Sequence, residues 1–243
     1  MNRALFAAAS GMAAQQTNLD VIANNLANAD VAGFKGAAAS FGEIAAPGRL
    51  GLGTAPLGTH TLFEQGKLMK SGGPFDVAID GGGFFILVDA HGHRAYTRDG
   101  EFSRAPDGTL RNAQGWRLDG IRIPADATSV QVGEDGAVTA QTTMGSKACG
   151  RIRVAVFGAP ERLEALGGTL FAPSRAAGVP QLVRAGGGDD GPKIRFGMLE
   201  QSNVSIVEAM MQILTAQRAY EANAKGVQAA DELLRIANNL NRG

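Results

Sequence analysis

Both ends of the chain carry a seven-residue apolar repeat, and nothing else in the sequence restricts the fold as much. Near the start, Leu5, Met12, Leu19 and Leu26 recur every seven residues, with Met1, Ala8, Gln15, Ile22 and Ala29 in an offset row. Near the finish, Ile206, Ile213, Tyr220, Val227 and Leu234 recur in the same way, flanked by Met210 and by a row of Ala209, Ala216, Asn223, Ala230 and Ala237. Apolar residues at alternating steps of three and four form a seam down one side of a helix, and a strict seven-residue period favours supercoiled packing against a partner. The expected fold class is therefore α+β. Long N- and C-terminal helices pair as a coiled-coil-like stalk, and a β-rich, meander- or barrel-like domain lies between them. The expected boundaries are 1–35 and 203–243 for the helical assembly domain, 36–74 for an extended linker and 75–202 for the β-rich outer domain.

The first helix carries only Arg3, Asp20 and Asp30 as charges, and its far side holds Ala7, Ser10, Ala14, Thr17, Val21 and Asn24. A water-facing helix usually shows Lys and Glu there. Small and amide side chains instead suit close approach by neighbouring protein. Gly11 costs about 1 kcal/mol of helix propensity, and Gly33 is the expected stop. The last helix is announced by Ser205-Ile-Val-Glu208, a capping-box pattern. It would run roughly 50 Å at 1.5 Å per residue, too long for a small β body to cover.

Arg3 followed by residues 4–9 imitates a secretory leader, but the amphipathic repeat continues through Leu26, so the segment reads as part of the mature protein. No stretch reaches the roughly 18 apolar residues of a membrane span. Lys plus Arg equals Asp plus Glu at 23 each, which gives no reason to expect nucleic acid or an acidic membrane. Residues 47–60 read as a Gly/Pro-punctuated linker. Short strands are expected at 75–79, 84–88, 95–98, 129–132, 151–157 and 194–199. Asp-Gly turns at Asp99, Asp107, Asp119 and Asp135 separate the apolar runs, and Trp116 anchors the core.

Chemistry is harder to find. Gly81-Gly-Gly83 precedes the strand-like run Phe84–Val88 instead of a helix, so it reads as a sheet turn and not a phosphate cradle. His91-x-His93 falls on an expected hairpin turn and reads as surface, not as a metal site. Asp189-Asp190 lies in a Gly-rich loop, and no Gly-x-Ser-x-Gly elbow occurs. Cys149 stands alone and reads as a small buried hydrophobe. No catalytic, cofactor or metal residues are assigned, and no cofactor is expected.

The run Asn24-Asn-Leu-Ala-Asn28 with Gly33-Phe34-Lys35 resembles the N-terminal signature of bacterial flagellar axial proteins of the rod and hook. Asp76-Val-Ala-Ile79 with Gly81, Gly83, Phe84 and Phe85, then Tyr96-Thr-Arg-Asp-Gly100, resembles the start of their β domain. Glu200 with Ser202-Asn-Val204, and Gln217-Arg218-Ala-Tyr220-Glu221, resemble their C-terminal helix. Within that basal-body rod family the helix from Gln217 and the motif from Tyr96 are most similar to the distal-rod type, with the proximal-rod type as alternative because the segment after Phe41 is short.

The resemblance implies a structural subunit, not an enzyme. It implies export through the flagellar type III apparatus without a cleaved signal, and assembly into a helical tube that crosses the periplasm. The implied partners are copies of itself, neighbouring rod and hook proteins, the export apparatus and surrounding ring proteins. No membrane insertion is implied. The expected assembly residues are Leu5, Met12, Leu19, Ile22, Leu26, Ile206, Met210, Ile213, Tyr220, Val227 and Leu234. An oligomeric β-domain binding module is the competing reading from another class.

Overall fold

The computed structural model describes residues 2–44, 53–187 and 191–240, except for the side chains of 2–4, 233, 234, 237, 238 and 240. Met1, part of the 47–60 linker, the Asp189-Asp190 loop and the side chain of Leu234 therefore lie outside the described residues. The chain is α+β and divides into two units. One contains residues up to 28, Gly36–Leu62 and the stretch from 204 onward; the other contains Ala29–Lys35 and Phe63–Asn203.

In the first unit, α1 (Asn2–Ala27) and α2 (Ile206–Leu240) pack side by side. The inward side of α2 is the row of small residues: Ala209 and Ala216 are buried, and Asn223 and Ala230 half-buried. A Cβ on Gly11 would sit 2.9 Å from the Asn223 amide nitrogen, so the interior glycine permits close approach of the helices. Ser205 Oγ accepts the Glu208 N–H at 3.4 Å, which is one half of the expected capping box. α1 ends at Ala27, earlier than the expected Gly33; the Asn28 side chain donates to the Asn24 carbonyl at 2.9 Å and shares it with the Asn28 N–H at 3.2 Å.

Residues 37–61 differ from the expected linker. β1 (Ala37–Glu43) and β2 (Thr54–Thr61) form an antiparallel hairpin, with Ala37 opposite Thr61 and Glu43 opposite Thr54. The ladder skips Leu57, which bulges out and is 74% exposed. What makes a strand of so poor a sequence is α1. Asn25 grips Ala37 at two points, donating to its carbonyl at 2.7 Å and accepting its N–H at 2.9 Å. Ser10 Oγ accepts the Thr54 N–H at 3.1 Å, beside the buried Ala14. The small-residue side of α1 is thus met partly by its own chain.

The second unit is built from β3 (Leu68–Lys70) through β18 (Met198–Glu200). Its centre is β5 (Phe84–Val88), buried along its whole length. One edge of β5 pairs with β6 (Arg94–Thr97); other partners are β13 (Arg153–Val156), at Phe84 and Phe85, and β9 (Arg117–Leu118), at Leu87 and Val88. Alternation along the strand divides two cores. Phe85 and Leu87 enter a large cluster with Val77, Ile79, Ile152 and Val154, while Phe84 and Ile86 enter a smaller one with Tyr96, Phe157 and Phe171. Trp116 is only partly buried at the margin of the large cluster, so it does not anchor the core.

β10 (Ala127–Val132), β11 (Ala137–Thr142) and β12 (Gly145–Arg151) form a meander. Gly108, Gly120 and Gly136 take the positive φ expected of their Asp-Gly turns. Gly100 does not; its Cβ position lies 1.6 Å from the Val77 carbonyl oxygen, so the glycine is there for close approach. The body is closed by its last strands: β17 (Lys193–Phe196) pairs with β4 (Val77–Asp80), and β18 pairs with β3.

Candidate assembly interface

Helix α2 carries two apolar sides. The first is the Ala209–Ala216 row, joined by half-buried Ile213 and Val227. The second holds Val207, Met210, Met211 and Leu214, between 54% and 71% exposed, at steps of three and four that place them a quarter-turn or more away. Ile206 and Tyr220 stand at the border, both about 40% exposed. On α1, Leu5, Met12, Leu19 and Leu26 are half-buried, Ile22 is buried, and Phe6 is exposed. The structure thus brings Ile22 into the core of the first unit and leaves Met210 at the surface. The exposed row at Val207, Met211 and Leu214 was not visible in the seven-residue repeat, because it sits off that register.

The motif residues do different work. Asn25 holds the hairpin and Asn28 follows the last residue of α1, while Asn24 is exposed and its carbonyl receives the Asn28 side chain. Gln217, Arg218 and Glu221 are exposed on α2. Gly33 and Phe34 are buried in the second unit. Gly33 has φ of 67°, and its Cβ position falls 2.2 Å from the Asp99 nitrogen.

The second unit also holds a buried charge cluster that sequence reasoning did not assemble. The Lys35 ammonium donates to Glu200 Oε1 at 2.5 Å and to the Glu64 carbonyl at 2.6 Å. Arg98 Nε donates to Glu200 Oε2 at 2.8 Å, and its Nη1 donates to the carbonyls of Gly81 and Gly83 at 2.9 and 2.7 Å. The Gly66 N–H completes the shell of Oε1 at 2.8 Å. The Gly33 N–H reaches the Glu200 carbonyl at 2.7 Å. Two cations thus share one carboxylate, and the excess charge is met by carbonyl oxygens. Burial pulls the Lys35 pKa below its ordinary value although Glu200 opposes the shift. The available signal was a lysine inside Gly33-Phe-Lys-Gly36 and a glutamate after Met198-Leu199, charged residues in apolar surroundings.

Beside this cluster, burial pushes the Asp99 carboxyl up to about 6, against hydrogen bonds from the Glu101 N–H and Thr169. The folded state therefore favours protonated Asp99. The contribution is full below the unfolded value near 4 and is lost as pH climbs through about 6. Asp99→Asn should remove this slope and stabilise the protein at neutral pH by on the order of 2 kcal/mol. Urea titrations of both proteins across that pH range measure it; parallel pH profiles would contradict the assignment.

A groove lined by Phe63, Gln65, Gly81, Phe84, Arg98 and Phe157 opens on the second unit. The Nε and Nη1 donors of its charged member, Arg98, are already committed to Glu200, Gly81 and Gly83.

Comparison with known proteins agrees with this anatomy. Residues 5–35 match the family described as "Flagella basal body rod protein", residues 78–140 the "Flagellar hook protein FlgE/F/G D1 domain", and residues 196–240 the "Flagellar basal body rod FlgEFG protein C-terminal". The flagellar basal-body rod protein FlgG of Borreliella burgdorferi is 37% identical over the whole of both chains. The chain belongs to the flagellar basal-body rod protein family. FlgG of Agrobacterium fabrum is 36% identical over 96% of this chain and 97% of its own, and FlgF of Caulobacter vibrioides is 35% identical over 98% and 97%. In this rod-family chain the three matched segments are α1 with its buried extension, the central strands, and β18 with α2. Among the described residues no helix is long and apolar enough to cross a membrane.

Proposed function

We propose that this chain is a FlgG-type structural subunit of the flagellar rod, not an enzyme, and that copies of it assemble into the tube that carries torque from motor to hook. The observation that carries the reading is the second apolar side of α2. Val207, Met210, Met211 and Leu214 are exposed within a single chain, in a protein related over its full length to FlgG proteins. Burying such side chains contributes roughly 1.5–3 kcal/mol each, so contacts repeated at every subunit hold a stiff polymer. Contacts that repeat head to tail without closing generate a helical filament. In the assembly α1 and α2 act as one coiled-coil-like pair, whose half-buried seam of Leu5, Met12, Leu19, Leu26, Ile213 and Val227 is completed by neighbouring copies.

The chain then resides in the basal body, reaching it through the flagellar export apparatus, with other rod proteins, the hook and the surrounding rings as neighbours. The FlgF type is the alternative position, supported by the 35% identity to the Caulobacter FlgF. Electron cryotomography of basal bodies carrying a tagged copy of the chain tests this. Density on the hook-proximal rod is expected, density nearer the inner membrane would favour the FlgF type, and density off the rod would overturn the proposal.

A further inference from the structure

The turn between β5 and β6 gathers Asp89, His91 and His93 at the surface. Asp89 Oδ1 accepts the backbone N–H groups of both His91 and His93 at 2.8 Å, which fixes the carboxylate. Its other oxygen, Oδ2, lies 2.8 Å from His93 Nδ1 and 3.6 Å from His91 Nδ1. One ligand atom from each of the three residues lies within 4.8 Å of the others. The Asp89 N–H is bonded to the His93 carbonyl at 3.0 Å and Gly92 takes a φ of 91°, so the backbone holds the three residues together.

We propose that Asp89, His91 and His93 form a divalent-metal site, with zinc as the fitting ion. Zinc takes imidazole nitrogen and carboxylate oxygen at about 2.0–2.1 Å in tetrahedral geometry, which sets donor atoms about 3.3 Å apart. The observed 2.8 and 3.6 Å bracket that spacing. Two imidazoles with one carboxylate suit zinc better than calcium or magnesium, which prefer all-oxygen shells. The histidine side chains are about 80% exposed; His93 Nδ1 exchanges its 2.8 Å hydrogen bond with Asp89 Oδ2 for the ion, and the fourth position is left to water. A bound ion clamps the tip of the hairpin whose root, β5, runs through both cores. The histidine pair alone did not suggest this; the fixed carboxylate supplies the third donor. The inference is independent of the rod assignment.

Calorimetric titration of the full chain with zinc chloride tests it. Saturable binding of one zinc per chain is expected. His91→Ala and His93→Ala should each weaken it by at least about tenfold, the scale on which even an outer-shell partner acts. His60→Ala should leave it unchanged. All three positions are exposed, so circular dichroism should show the fold intact in each variant. Absence of saturable binding, or equal binding by the His91→Ala/His93→Ala double variant, would overturn the proposal.

Discussion

Glu200→Ala is expected to destabilise the β body by about 3–5 kcal/mol, because removing one partner of a buried ion pair leaves the other without a counter-charge. Here two cations lose the same carboxylate, Lys35 and Arg98, and the Gly66 N–H loses its acceptor. The cations do not respond alike. Lys35, whose pKa is already drawn down by burial, can shed its proton. Arg98 cannot, since a guanidinium stays charged in proteins. Lys35→Met should therefore cost much less than Glu200→Ala, because Arg98 keeps its partner. Trp116 is the only tryptophan and lies in this unit, so its fluorescence during urea unfolding of the full chain reports the right transition. A Glu200→Ala protein within about 1 kcal/mol of the parent would show that the cluster is not a stabilising anchor.

The second large effect concerns polymerisation. Met211→Asp should leave the free chain within about 0.5 kcal/mol of the parent, as surface changes usually do, and should abolish rod assembly and swimming. Met211 is 57% exposed in the single chain, so the introduced carboxylate is hydrated there. Buried between copies it would have neither water nor a partner, a penalty larger than any apolar contact it replaces. Leu19 and Ile213 make less decisive targets, because both are half-buried within the chain and a charge there confounds folding with assembly. Ile22→Ala supplies the contrast: the side chain is 3% exposed, and its truncation should cost the free chain about 2–4 kcal/mol. Complementation of a deletion strain, with isolated basal bodies viewed by electron microscopy, gives the readout. Normal rods from Met211→Asp would remove this side of α2 from the interface.

What could be read from the sequence was what depends on near neighbours. The extent of α2 followed from Ser205 and an unbroken repeat, and β5 followed from five apolar residues after a glycine turn. Features that depend on distant residues escaped. Residues 54–61 contain Pro56 and Gly58 and look like linker, but Ser10 and Asn25 on α1 hold the hairpin in register. Lys35 and Glu200 stand 165 positions apart and Arg98 and Glu200 stand 102 apart, so no periodicity could pair them. The seven-residue seams pointed correctly to helices, yet they concealed which side of α2 a single chain covers, because the alanine row packs inward while larger residues stay outside.

The closure of the body by β17 and β18 bears on when the protein is able to fold. Every polypeptide emerges from its N-terminus, so β3 and β4 exist long before the strands that pair with them, and the carboxylate of Glu200 arrives later than both cations it must neutralise. Until then the growing chain has open sheet edges and two charges that resist burial. The β body therefore cannot complete its closure until β17 and β18 have been made.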